Sequence, residues 1–276
     1  MANYDRIYLS LNDEPRDIIS AMDDLVTRRA KTTTTYHQRR WLPGALMLAG
    51  LAFLALDFLL GYSGSLFVFL CVGWWIVAII AWLMLRRSEA SQPLAPEYQT
   101  ARDVFYILRD DVAPKKFFFG HLDLTGPRQT SKVMRTAKNA RGRSVSFYRD
   151  EWLSLKTKLY DGNMLRVSAV QRMKVRDSYT KRSASGKLKM KAALVKDDRQ
   201  QLSVRLSINP QVYDVTGLRL LQPGARIGTY TIVQCANDGG IVNVLATAAT
   251  TPVTSTDIVS VLHAVYGQLQ RKTETS

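Results

Sequence analysis

Between Arg40 and Arg86 the chain is almost continuously apolar, and its single charge there is Asp57. Neither half of this run carries the polar stripe of a helix packed in a globular core. A helix crossing a hydrocarbon layer needs about 20 apolar residues, and Trp41–Tyr62 and Leu66–Leu85 each have that length. One helix through both would reach roughly 65 Å. The pattern therefore predicts a membrane α-hairpin: transmembrane helices at 41–62 and 66–85 and an external turn at 63–65. Gly61, Ser63, Gly64 and Ser65 supply the reversal.

The flanks set an expected orientation. Arg28, Arg29, Lys31, Arg39 and Arg40 precede the run, Arg86 and Arg87 follow it, and the turn has no Lys or Arg. The positive-inside rule then places both termini in the cytoplasm of a multi-pass cell-membrane (inner-membrane) protein, with Trp41 and Trp82 at one interface and Tyr62 at the other. Asp57 lies five residues before Tyr62, within reach of headgroups, and is read as an interfacial acid rather than part of an ion path.

On either side the pattern changes. Residues 1–40 are expected to form a cytoplasmic amphipathic helix and linker. Asn12 or Asp13 is the candidate cap, Pro15 sits in the first turn, and Ile18, Ile19, Met22, Leu25 and Val26 make an apolar stripe. Residues 86–100, with "SEASQPLAPEYQ", read as a linker. From 101 to 276 the period is mainly two. A strand is expected within 115–126, and 126–144 reads as a long basic loop. Across 152–208 alternation predicts four strands joined by turns at Asp161-Gly162-Asn163, 183–186 and 196–200, in which Lys158 would face Arg166 and Lys187 would lie near Arg182. Asn237-Asp238-Gly239-Gly240 marks a hairpin, and a helix capped by Thr254 or Ser255 closes the chain. The fold class is thus a membrane hairpin plus a cytoplasmic α+β domain, dominated by an antiparallel meander in a partly open barrel or sandwich with a C-terminal helix.

Charge sharpens this picture. The chain carries a formal +15, and residues 128–191 hold 18 Lys and Arg against four acids. The alternation gathers Lys156, Lys158, Arg166, Arg172, Lys174, Arg176, Lys187, Lys189 and Lys191 on the polar face, as a candidate anion-binding surface. Like charges facing each other destabilise a sheet, and an anion relieves that. The expected partners are the lipid bilayer, its anionic headgroups or an acidic protein. Nucleic acid is the alternative, since Tyr148, Trp152, Tyr160 and Tyr179 interleave with the cations; a homo-oligomer or a place in a transport complex is also compatible.

Chemistry beyond binding finds no motif. Gly186-Lys187 lacks the spacing and hydroxyl of a phosphate-binding loop. His121 and Asp123 alternate on one strand without a third ligand, so no metal is expected. Cys71 and Cys235 lie far apart in sequence, and no nucleophile elbow occurs. The expectation is a tethered binding protein with no catalytic residues and no cofactor.

Overall fold

The computed structural model describes residues 7–60, 65–87, 95–215, 221–249 and 253–272; side chains at 29, 32, 33, 35–37, 53, 54, 56–60, 65–68, 86 and 87 lie outside that description. The chain forms two compact units, one of Met1–Asn3 and Ala21–Pro93 and the other of Tyr4–Ser20 and Leu94–Ser276. The helices are α1 (Pro15–Arg39), α2 (Leu42–Leu60), α3 (Ser65–Arg87), α4 (Pro96–Leu108) and α5 (Ser255–Tyr266). The strands are β1 (Tyr8–Asp13), β2 (Phe118–Asp123), β3 (Val133–Lys138), β4 (Ser144–Lys158), β5 (Met164–Arg176), β6 (Tyr179–Arg182) and β7 (Leu188–Lys191). They continue with β8 (Leu194–Ser207), β9 (Tyr213–Asp214), β10 (Arg226–Ile227), β11 (Tyr230–Asp238), β12 (Ile241–Ala249) and β13 (Gln270–Arg271).

In the smaller unit α2 and α3 pack on each other. Gly50 permits the contact, because a Cβ there would lie 2.7 Å from the Trp75 indole. Cys71 and Ala78 are buried, whereas Leu48, Phe69 and Ile76 are exposed. Among the described residues no helix is long and apolar enough to cross a membrane. This overturns the expected membrane α-hairpin with transmembrane helices at 41–62 and 66–85. The multi-pass cell-membrane location with cytoplasmic termini, and the tethering function built on it, fall with it. Part of the apolar surface that the sequence pattern assigned to lipid is instead turned onto the neighbouring helix, at Gly50, Cys71 and Ala78. The Asp57 side chain and the turn residues Gly61–Gly64 lie outside the described residues.

The larger unit is α+β. Its antiparallel sheet has nine strands in the order β1-β2-β4-β5-β8-β12-β11-β10, with β3 added against the N-terminal part of β4. Alternation sends Leu153, Leu155, Leu165, Val167, Leu202, Val204, Leu206, Val242 and Val244 to one face, where all are buried. Tyr98, Ala101, Val104, Phe105 and Leu108 of α4 and Ile258, Val261, Leu262 and Val265 of α5 are buried too. The rings of Phe105 and Phe118 meet at 5.4 Å, and Thr100 donates a 2.8 Å hydrogen bond to the Val253 carbonyl. Burying each such large side chain stabilises the fold by about 1.5–3 kcal/mol. Pro96 starts α4, where its missing N–H costs nothing. Thr254 and Asp257 start α5 with a reciprocal capping box.

Several elements differ from the sequence pattern. β1 and α4 are structure where a lead and a linker were expected, and β3 lies inside the expected 126–144 loop. The 183–186 turn belongs to β6–β7, which forms its own two-stranded sheet, so β5 pairs directly with β8. Leu188 and Met190 are 70% and 77% exposed, so their alternation marks a projecting ribbon and not a core strand. Residues 196–200 continue β8 without turning. The expected meander of four successive strands is therefore three long paired strands, β4, β5 and β8, with a hairpin excursion between β5 and β8.

Candidate anion-binding site

The register of the sheet decides which cations meet. Lys156 pairs with Arg166 across β4 and β5, and Arg166 pairs with Arg205 across β5 and β8. Phe119 stands opposite Lys156 at one end of this row and Asn243 opposite Arg205 at the other. Adjacent strands lie about 4.8 Å apart, so the three cations span about 10 Å. They point away from the apolar core, since all three alternate with buried neighbours. Two residues further along each strand, Ser154, Ser168 and Ser203 form a parallel row of hydroxyls.

These two rows line a cleft of about 470 Å³, with Phe119 and Gly120 on its β2 side. Gly120 has φ +141°, and a Cβ there would fall 1.9 Å from the Ser154 carbonyl oxygen. Only glycine lets β2 approach β4 so closely at this point. Ser168 donates a 2.6 Å hydrogen bond to Glu151 Oε1. His121 sits opposite Ser154, stacked on Tyr8 at 5.9 Å.

Among the described residues Lys156, Arg166 and Arg205 form no ion pair. Elsewhere the protein does neutralise its cations. Lys132 bridges Asp123 at 2.9 Å and Asp150 at 2.6 Å. Burial raises the Asp150 carboxyl despite that hydrogen bond, so the lysine there serves a buried acid. Arg199 is held by Asp197 at 3.0 Å. An unneutralised row beside a concave surface is a different arrangement: three cations line one cleft and, among the described residues, none is paired with a carboxylate.

The nine expected site residues divide. Lys156 and Arg166 lie in the row, and Arg205, which is not among the nine, joins them. Lys158 pairs with Met164 instead of Arg166, because the turn closes two positions tighter: Leu159 N–H donates to the Asn163 carbonyl and Gly162 N–H to the Leu159 carbonyl. Arg172 belongs to a second row with Arg149 and Arg199, six residues away along β5 and so about 20 Å distant. Lys174 sits over the Phe147 ring at 5.4 Å, and Arg176 over Tyr179 at 4.9 Å. Lys187, Lys189 and Lys191 ride on or beside the β6–β7 ribbon, where Lys189 faces Lys181, so Arg182 meets Leu188 and not Lys187. No family model, curated protein or solved structure matches the chain. The geometry of the cleft therefore carries the functional reading by itself. Among the described residues no cluster of His, Cys, Asp or Glu suits a metal ion, and the donors in the cleft are cations and hydroxyls, which favour an anion.

Proposed function

We propose that the protein is a binding module for a small phosphate-bearing molecule, taken up in the cleft of Lys156, Arg166 and Arg205. The observation that supports this is the register of three cations on three neighbouring strands, without a carboxylate among them, facing concave space. Arginine guanidinium groups match phosphate oxygens in bidentate fashion. The serine row next to the cations suits hydroxyls on the body of the ligand, and Phe119 offers an apolar edge.

Calorimetric titration of the full-length protein with glycerol 3-phosphate, and with glycerol as control, tests the reading. The phosphate ester binds and glycerol does not. Arg166→Gln and Arg205→Gln each weaken binding at least tenfold, and rising salt weakens it in the wild type by screening the exposed partners. Equal affinity in wild type and both variants overturns the proposal.

A further inference from the structure

A second cavity, of about 410 Å³, lies on the other side of the larger unit. It opens between the C-terminal end of α4, the 159–163 turn and α5. Ile107, Leu159, Leu165, Val259 and Leu262 make its apolar walls. Its volume falls within the range of small-molecule sites, which combine apolar walls with a few convergent polar groups.

The polar groups lie at one end. Tyr160, Tyr213 and Tyr266 line it, with Asp111 and Asp161. Asp161 is held in place: its carboxylate accepts from the Tyr213 hydroxyl at 3.0 Å and from Asn163 Nδ2 at 2.8 Å. Asn163 Nδ2 also donates to the Tyr266 hydroxyl at 3.3 Å, and its Oδ1 accepts the Asn209 N–H at 2.6 Å. This fully buried asparagine thereby fixes two tyrosines and one acid around the cavity. Asp111 is different. Arg109 is engaged by Asp110 at 3.0 Å, and among the described residues Asp111 forms no ion pair. Burial, with Asp110 and Asp161 close by, raises its carboxyl. Arg271 lies beside the Tyr213 hydroxyl and His263 is exposed on α5. Two carboxylates, Asp111 and Asp161, against one guanidinium, Arg271, leave the lining with one negative charge in excess.

We propose that this cavity is a second binding site, independent of the anion cleft, for a small alkylammonium ion. The cationic head meets Asp111 and the faces of the tyrosines, and its alkyl part meets Val259, Leu262 and Ile107. Ammonium heads are attracted both to carboxylates and to the π faces of aromatic rings. A neutral ligand of the same shape gains only the apolar contacts and offers no charge for Asp111 to pair with. The observed mixture of three phenol rings, one uncompensated carboxylate and aliphatic walls thus selects a cation over its neutral isostere.

The experiment is calorimetric titration of the full-length protein with choline, with n-butylammonium, and with 3,3-dimethylbutan-1-ol as the uncharged isostere of choline. Both ammonium ions bind, at least tenfold more tightly than the alcohol. Asp111→Asn removes that tenfold preference, and Val259→Trp, which fills the cavity from a half-buried position, abolishes binding. Arg166→Gln leaves ammonium binding unchanged, so failure of the anion cleft and failure of this site are read separately. Absence of binding by both ammonium ions, equal binding of the alcohol, or an unaltered preference in Asp111→Asn each overturns the proposal. Asp111 is on the exposed rim, so its variant decides the matter even where Val259→Trp unfolds the protein.

Discussion

At the scale of single residues, Asp257 shows how one side chain joins local structure to stability. Burial alone would raise its carboxyl, but hydrogen bonds from Thr254 and Thr229 more than reverse that and hold it below the usual carboxylate range. The Thr254 hydroxyl donates at 2.6 Å and the Thr229 N–H at 3.1 Å, so the same carboxylate caps α5 and anchors the turn before β11. Because the folded-state value is depressed, its stabilising effect is fully present above the unfolded value of about 3.9 and is lost as pH falls through the folded value. Asp257→Asn is expected to lower stability by about 1 kcal/mol at pH 7, the usual worth of a cap. Urea denaturation of both proteins from pH 7 to pH 2 checks this: the gap narrows below pH 4. A gap independent of pH would show that the charge of Asp257 is not what anchors the turn.

At the scale of elements, the β6–β7 ribbon separates what the sequence could and could not disclose. The long alternations of β4, β5 and β8 are legible where Leu153 and Leu155, Leu165 and Val167, and Leu202, Val204 and Leu206 fall at every second residue, and each of these is buried. The capped terminal helix was legible from Thr254 and the stripe through Val265. Leu188 and Met190 alternate just as well, yet they are exposed, because period two reports a strand but not which sheet it joins. That ambiguity hid the pairing of β5 with β8, and with it the place of Arg205 beside Arg166. β1 was missed for a related reason: at the sheet edge only Leu11 of its residues is buried, so its pattern carries little signal. α4 was obscured by Pro96, read as a linker residue when it is a helix start. Since β5 and β8 pair without help from the ribbon, replacing residues 178–192 by a short Gly-Ser turn is expected to keep the fold. Far-UV circular dichroism stays that of an α+β protein, the melting temperature moves by only a few degrees, and binding of glycerol 3-phosphate is unchanged. Loss of cooperative unfolding would mean that the ribbon supports the ends of β5 and β8 and is not an appendage.

At the scale of the whole molecule, the +15 charge is not a uniform coat. Some cations are spent on buried acids, as Lys132 is, and some lie on aromatic faces, as Arg176 and Arg143 do at 4.9 Å and 3.9 Å from Tyr179. What remains conspicuous is the row in which Lys156 faces Arg166 and Arg166 faces Arg205. Each like-charged cross-strand pair costs a sheet about 0.2–1 kcal/mol, so the row makes the empty fold less stable than its core allows. A surface that served solubility alone would reach the same net charge with its cations apart or alternating with acids. The expectation is that the triple variant Lys156→Gln, Arg166→Gln, Arg205→Gln melts roughly 2–4 °C higher than the wild type, since about 1 kcal/mol moves a domain of this size by that amount. Added sodium chloride raises the wild-type melting temperature by screening the row and moves the variant less, while glycerol 3-phosphate stabilises only the wild type. A variant that melts lower than the wild type would mean that the long aliphatic stems of these side chains contribute more by covering the sheet than their heads cost by repulsion. The row would then be packing and not a strained site relieved by its ligand.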